Sequence, residues 1–284
     1  YQSVGKIPHK RHTQLRDEAG ALRYEEMFST QAFADVYALL YHVSPPTEVR
    51  SIEPGPNLAL KEWVDDVHRH HLLDTFSQER SGDYLQSRRP ILFNDESIVS
   101  VASPDRASEA LYRNATFDEL VCVGAGSGEL VTPFGSIDYG PRDMIVLPRG
   151  TTQEWRPADG PQKMLILESR DPITIPSRYL TPSGQFSEHS PVCERDVRAP
   201  RLNPPRVERG DFPVLVKVED RISIYHTAWH PFDLVGWDGC LYPYAINMDD
   251  FEPVARRIHT MPDEQQIFAT KGACICCLVP RPMD

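Results

Sequence analysis

Tyr112–Glu119 reads YRNATFDE, and Gly126 follows seven residues after Glu119. In an extended strand Tyr112 and Asn114 share a face, with the carboxylate of Glu119 five residues beyond the asparagine. Downstream, DMIVLPRGTTQ places Asp143, Pro148, Gly150 and Gln153 at the intervals of a matching second half. The spacing is that of a strand pair that grips a metal inside a β-barrel, but the side chains are wrong for one. Imidazole nitrogens hold Fe(II), Mn(II) or Zn(II) because they are neutral and good donors. A Tyr, an Asn and a Gln do not replace three of them at neutral pH, so Glu119 alone would hold no metal. Gly126 and Gly150 suit tight turns, and Pro148 ends a strand. The stretch is therefore expected to be a metal-free structural barrel, or one with some other ligand in its mouth.

Strand signals surround this stretch. ILFND, SIVSVAS, ELVCVGAGSG, ELVTPFGSIDY, DMIVLPRG, TQEWRP and KMLILES follow one another between residues 90 and 170 with turns between them. The 26 prolines and 16 glycines punctuate short apolar runs, the texture of sandwiches and barrels. GAGSG at 124–128 lacks the Lys-Ser/Thr of a phosphate loop and reads as a hairpin turn. A Pro-rich connection at 171–213 precedes a second series, FPVLVKV, RISIYHTAW, DLVGWDG and ACICCLVP. Residues 1–57 read as irregular, broken by SPPTEV and EPGPN. Over 58–76, Leu60, Trp63, Val64, Val67 and His71 fall at helical spacing and predict one amphipathic helix.

The 284 residues carry 30 Lys and Arg against 41 Asp and Glu, a net charge of −11 that argues against nucleic acid or an anionic membrane as partner. No apolar run approaches the ~18 residues of a membrane span. Six cysteines in a chain of this length make no disulfide framework; Cys274, Cys276 and Cys277 read as reduced, buried small residues of a cytoplasmic protein. His68, His70 and His71 suggest a metal cluster, with a mixed face of packing and solvated imidazoles as the alternative. His9, Lys10, Arg11 and His12 read as an arm that docks on the barrel or on a neighbouring subunit. His226 and His230 flank Trp229, either bordering a cavity or packing in the core.

The intervals at 112–126 and 143–153 resemble the two motifs of the cupin barrel, with three of four ligand positions replaced. Three longer stretches narrow the likeness: GKIPHKRHTQ, RNATFDELVCVGAGSGELVTPFGSIDYGPRDMIVLPRGTTQEW and HPFDLVGWDGCLYPYAINMDDFEPVARRIH. Together they resemble the homogentisate 1,2-dioxygenase family, its bacterial members most closely. The resemblance implies a mainly β fold of two cupin-like antiparallel barrels, a bicupin whose second barrel is incomplete in this chain. It implies an N-terminal arm at 1–89, a metal-free first barrel at 90–170, and a linker with the start of the second barrel at 171–284. Members bind one non-haem Fe(II) in the second barrel and open an aromatic ring with O2. They are longer than this chain, so the iron ligands are expected after Asp284.

His259 occupies the stretch where the family places a proton acceptor for a substrate hydroxyl; the alternative is a loop histidine bonded to backbone. Tyr244, beside Tyr242, offers a ring and hydroxyl to an aromatic substrate or to a buried interface. The implied activity converts homogentisate to maleylacetoacetate in tyrosine and phenylalanine breakdown. The implied partners are a small aromatic acid and further copies of the chain, as a trimer or hexamer. A related dioxygenase for another dihydroxy-aromatic acid, and a metal-free bicupin that binds or scaffolds, are the competing readings.

Overall fold

The computed structural model describes all residues except 34–35, 76, 78–80, 254–261 and 279–284, and the side chains of 262–263 are also outside it. The fold is almost wholly β. In chain order the strands are β1 (Gln2–Gly5), β2 (Tyr24–Ser29), β3 (Tyr37–His42), β4 (Val49–Asn57), β5 (Arg89–Phe93), β6 (Ser97–Ala102), β7 (Leu111–Asn114), β8 (Asp118–Ala125), β9 (Gly128–Thr132) and β10 (Gly135–Tyr139). They continue as β11 (Asp143–Leu147), β12 (Thr152–Pro157), β13 (Lys163–Ser169), β14 (Arg209–Val218), β15 (Arg221–Trp229), β16 (Leu234–Gly239), β17 (Tyr244–Asn247), β18 (Gln266–Thr270) and β19 (Ala273–Cys276). Each strand signal read from residue 90 onward is realised.

Two large sheets face each other. One runs β10-β9-β12-β7-β14-β15-β4, the other β17-β11-β8-β13-β6-β5. All named strand pairs are antiparallel except β7 with β14, which is parallel. Both sheets draw on strands from either side of the Pro-rich connection: β14 and β15 join the first, β17 the second. Tyr112, Val121, Val123, Leu130, Ile145, Leu147, Trp155 and Ile166 meet in the core between them. Alternate residues of β8 and β11 point the other way, where Leu120, Met144 and Val146 pack against Ile173, Val192, Phe251, Ile267 and Phe268. Burial on both faces explains why β11 is the unbroken apolar run MIVL.

The predicted turns hold. Gly126 sits at φ 89° in the two-residue link between β8 and β9, and Gly150 at φ 88° donates its N–H to the Asn114 carbonyl at 2.8 Å. Strand β11 stops at Leu147, one residue before Pro148.

Two expectations fail. The helix over 58–76 does not form: residues 58–75 have no regular secondary structure, and Trp63, Val64 and Val67 are exposed. Helical periodicity holds a short helix in place only when its apolar face is buried against something, and the exposure of these side chains shows that this face is not. EPGPN was expected to break any element, yet Pro54 and Pro56 lie inside β4. β4 is the edge of the seven-stranded sheet, where a missing N–H can face outward at no cost to the ladder. Residues 1–57 thus contribute four strands.

The remaining sheet, β1-β16-β3-β2, ties the start of the chain to residues 234–239. The basic arm docks on it. The Arg11 guanidinium lies 4.8 Å from the Tyr1 ring centroid and 5.8 Å from that of Tyr37, and the His12 ring nitrogen Nδ1 is 2.9 Å from Glu25.

Candidate functional site

The four positions of the opening motif converge. Tyr112 and Asn114 project inward from β7, Gln153 pairs with Tyr112 in register, and Glu119 faces them from β8. The site also gathers three residues that the motif did not foretell. Glu168 lies directly opposite Glu119 in the β13–β8 ladder, and Lys217 opposite Asn114 in the parallel β14–β7 pair. Arg88 enters from the turn before β5. A charged residue inside each of the apolar runs KMLILES and VLVKV was the available signal for Glu168 and Lys217. Arg88 gave none, because nothing local sets it apart from its neighbour Arg89.

Two like charges opposite each other on neighbouring strands repel, and here Arg88 bridges them while Lys217 pairs with Glu168. Both terminal nitrogens of Arg88 donate to Glu119 Oε1 at 2.9 Å, and Nη1 lies 3.6 Å from Glu168 Oε2. Lys217 Nζ donates to Glu168 Oε1. Asn114 Nδ2 donates to both carboxylates, at 3.1 Å to Glu119 and 2.7 Å to Glu168. Gln153 Nε2 donates to Glu119 Oε2 at 2.9 Å, and the Tyr112 hydroxyl to Oε1 at 3.3 Å. Arg88 Nη2 also donates to the Tyr84 hydroxyl at 2.8 Å, above the Tyr84 ring.

Burial works to raise the Glu119 pKa and to lower that of Arg88, but their mutual attraction and hydrogen bonds outweigh it: Glu119 is held below the usual carboxylate range and Arg88 is raised. Burial keeps the phenols of Tyr84 and Tyr112 protonated.

This donor set does not fit a divalent metal. Both oxygens of Glu119 already accept bonds from Arg88, Asn114, Tyr112 and Gln153, and a guanidinium stands beside them. A dication would meet a positive charge and no free imidazole. Among the described residues no group of three or more His, Cys, Asp or Glu could hold a metal ion.

The remaining candidates separate. His259 lies outside the described residues. Tyr244 is half-buried on β17, its ring 6.3 Å from those of Phe268 and Tyr242, and burial raises its pKa. His68, His70 and His71 are exposed. Cys277 is buried as expected, but Cys274 and Cys276 are exposed on β19, their sulfurs 3.6 Å apart. Ile275 of β19 packs on the cluster around Ile267 and Phe268, so its alternate neighbours Cys274 and Cys276 point the other way, to solvent.

His226 bonds Asp211 at 2.8 Å. His230 is buried between the rings of Phe212 and Phe232, each 5.0 Å away, and its Nδ1 accepts the Phe232 N–H at 3.0 Å. Burial, with a further push from Arg206, brings its pKa down to about 4 and keeps it a neutral acceptor.

The HPFD block has a structural task. Asp233 accepts from His42 Nδ1 at 2.6 Å and from the Ser44 N–H at 2.7 Å, while His42 Nε2 reaches Glu26 at 2.9 Å. Burial would lower the His42 pKa, but bonds to Asp233 and Glu26 overcome it and raise it from 6.5 to about 9. A folded pKa above the unfolded one gives stability that is complete below pH 6.5 and lost as pH climbs through 9. The shift corresponds to about 3 kcal/mol. Urea midpoints of the protein should therefore fall between pH 6.5 and 9.5, and His42→Gln should flatten that slope. An equal slope in the variant would remove His42 as its source.

Among the described residues no helix is long and apolar enough to cross a membrane. Residues 97–248 match the family described as Homogentisate 1,2-dioxygenase N-terminal. Over 285 residues the chain is 35% identical to "Putative dioxygenase SSO1533" of Saccharolobus solfataricus, covering 100% of this chain and 73% of that protein. It is 27% identical over 241 residues to a homogentisate 1,2-dioxygenase of Emericella nidulans, covering 81% of this chain and 49% of that protein. With a Bradyrhizobium diazoefficiens protein of the same name the identity is 29% over 146 residues, 50% of this chain and 31% of that protein. The chain thus spans less than half the length of these two homogentisate dioxygenases. Among solved structures, a cupin-2 domain protein of Shewanella frigidimarina aligns at 21% identity and a TM-score of 0.29, covering 34% of this chain and 88% of that one.

Proposed function

Since the chain belongs to the homogentisate 1,2-dioxygenase family, by its match over 97–248 and its full-length relative, we propose that the protein is an Fe(II)-dependent dioxygenase that opens the ring of a dihydroxy-aromatic acid, homogentisate in the first instance. The family match over more than half the chain carries this reading. The buried cluster around Arg88 and Glu119 does not fit a divalent metal, so the iron is proposed to sit on ligands outside it. His259 is proposed to accept the proton of the substrate phenol, a task suited to a neutral imidazole. Tyr244 is proposed to border the aromatic substrate. Cytoplasmic tyrosine and phenylalanine breakdown, and a trimer or hexamer, complete the proposal.

A panel of aromatic acids in an oxygen electrode tests it. Iron-loaded protein should consume one O2 per homogentisate and give a ring-opened acid. Consumption with another dihydroxy acid but not with homogentisate would move the substrate and keep the chemistry. No consumption with any of them would leave a binding or scaffolding protein.

A further inference from the structure

The charged cluster forms the floor of a cavity of about 1190 Å³. Its walls are mainly apolar, with Leu85, Ile91, Leu92, Ile98, Phe117 and Trp63 among them. Arg88, Lys217, Glu168 and Ser100 also line it. Two hydrogen-bonding atoms there have no partner among the described residues: Arg88 Nε, on a side chain only 6% exposed, and Ser100 Oγ, on a fully buried residue. Lys217 Nζ carries three protons, and its bond to Glu168 uses one. Spare donors therefore crowd one end of a mostly apolar space, while Glu168 Oε1 is engaged by Asn114 and Lys217.

The charge has a direction too. Arg88, Lys217 and Glu168 line the cavity but Glu119 does not. At this end the wall thus shows two cations and one anion, with the carboxylate that balances them set behind; elsewhere on the wall Lys61 and Arg170 stand among Glu62, Asp95, Glu219 and Asp220. A buried donor without an acceptor is costly, and a ligand that supplies the acceptor relieves it.

We propose that this cavity is a binding site for a small monocarboxylate with an apolar body, its carboxylate against Arg88, Ser100 and Lys217 and its body along Phe117, Leu85 and Ile91. The site lies in the half of the fold that cannot hold iron and is independent of the ring-opening reading. The cation that replaces a metal in the barrel serves as the anion anchor.

Isothermal titration of the whole protein with hexanoate, which has no ring to offer the site of ring opening, and with hexanamide as its uncharged counterpart, tests the assignment. Hexanoate should bind saturably, and hexanamide at least about tenfold more weakly, because it brings no charge to the cations. Ser100→Ala should weaken hexanoate about fivefold, as loss of one hydrogen bond does. Ile91→Trp, which narrows the cavity away from the charged cluster, should abolish binding. Both variants should keep the wild-type melting profile and oxygen consumption, which separates this site from the site of ring opening. Equal binding of the two ligands, absence of saturable binding, or full hexanoate affinity in either variant would each overturn the proposal.

Discussion

Arg88→Met will lower the unfolding free energy by about 3–5 kcal/mol, the effect of stripping the partner from a buried charge. Glu119 is only 1% exposed. Without the guanidinium its charge is left to Asn114, Gln153 and Tyr112, and Glu168 stands directly opposite on the next strand. The carboxyl then escapes by taking up a proton, so the variant should bind a proton on folding near neutral pH where the wild type does not. Arg88→Met combined with Glu119→Gln should recover much of the loss, since it removes the orphaned charge along with its partner. Urea denaturation of the two variants reads both effects. A double variant no more stable than Arg88→Met alone would mean that the side chain acts through its packing on Tyr84, not through its charge.

His259→Gln should lower kcat by about 10²–10⁴-fold, the range of general acid–base catalysis, with KM little changed. Glutamine keeps a hydrogen-bonding group but cannot accept the phenolic proton. The rate of the wild type should rise with pH as the imidazole loses its own proton, and the variant should lack that limb. A kcat within about threefold of the wild type would exclude His259 as the acceptor.

The strands after residue 90 and the meeting of Tyr112, Asn114, Glu119 and Gln153 were legible because both rest on local spacing: two-residue alternation and turn residues at fixed offsets. Arg88, Glu168 and Lys217 reach the same point from distant elements, and only the pairing of strands reveals that they oppose Glu119 and Asn114. The first 57 residues misled because Pro54 and Pro56 were weighed as breakers. Whether a proline breaks a strand depends on whether that strand lies at an edge, a property of the sheet and not of the sequence around it. The stretch at 58–76 misled for a related reason. Its periodicity was sound, but a face needs a partner surface, and Trp63 and Val64 remain in solvent.

The pairing of β1 with β16 sets a schedule for synthesis. Tyr1 bonds Asp238 across 237 positions of sequence. A ribosome adding 5–20 residues per second makes the arm wait roughly 10–50 s before its partner strand exists. Throughout that interval QSVG has no ladder, and β3, the neighbour of β16 on its other side, has only β2 to pair with. The seven-stranded sheet waits as well, since β7 gains its parallel partner only when β14 has emerged. The nascent chain therefore exposes open strand edges until residues 236–239 have been made, and factors that shield such edges should raise the yield of folded protein more than slower growth at lower temperature.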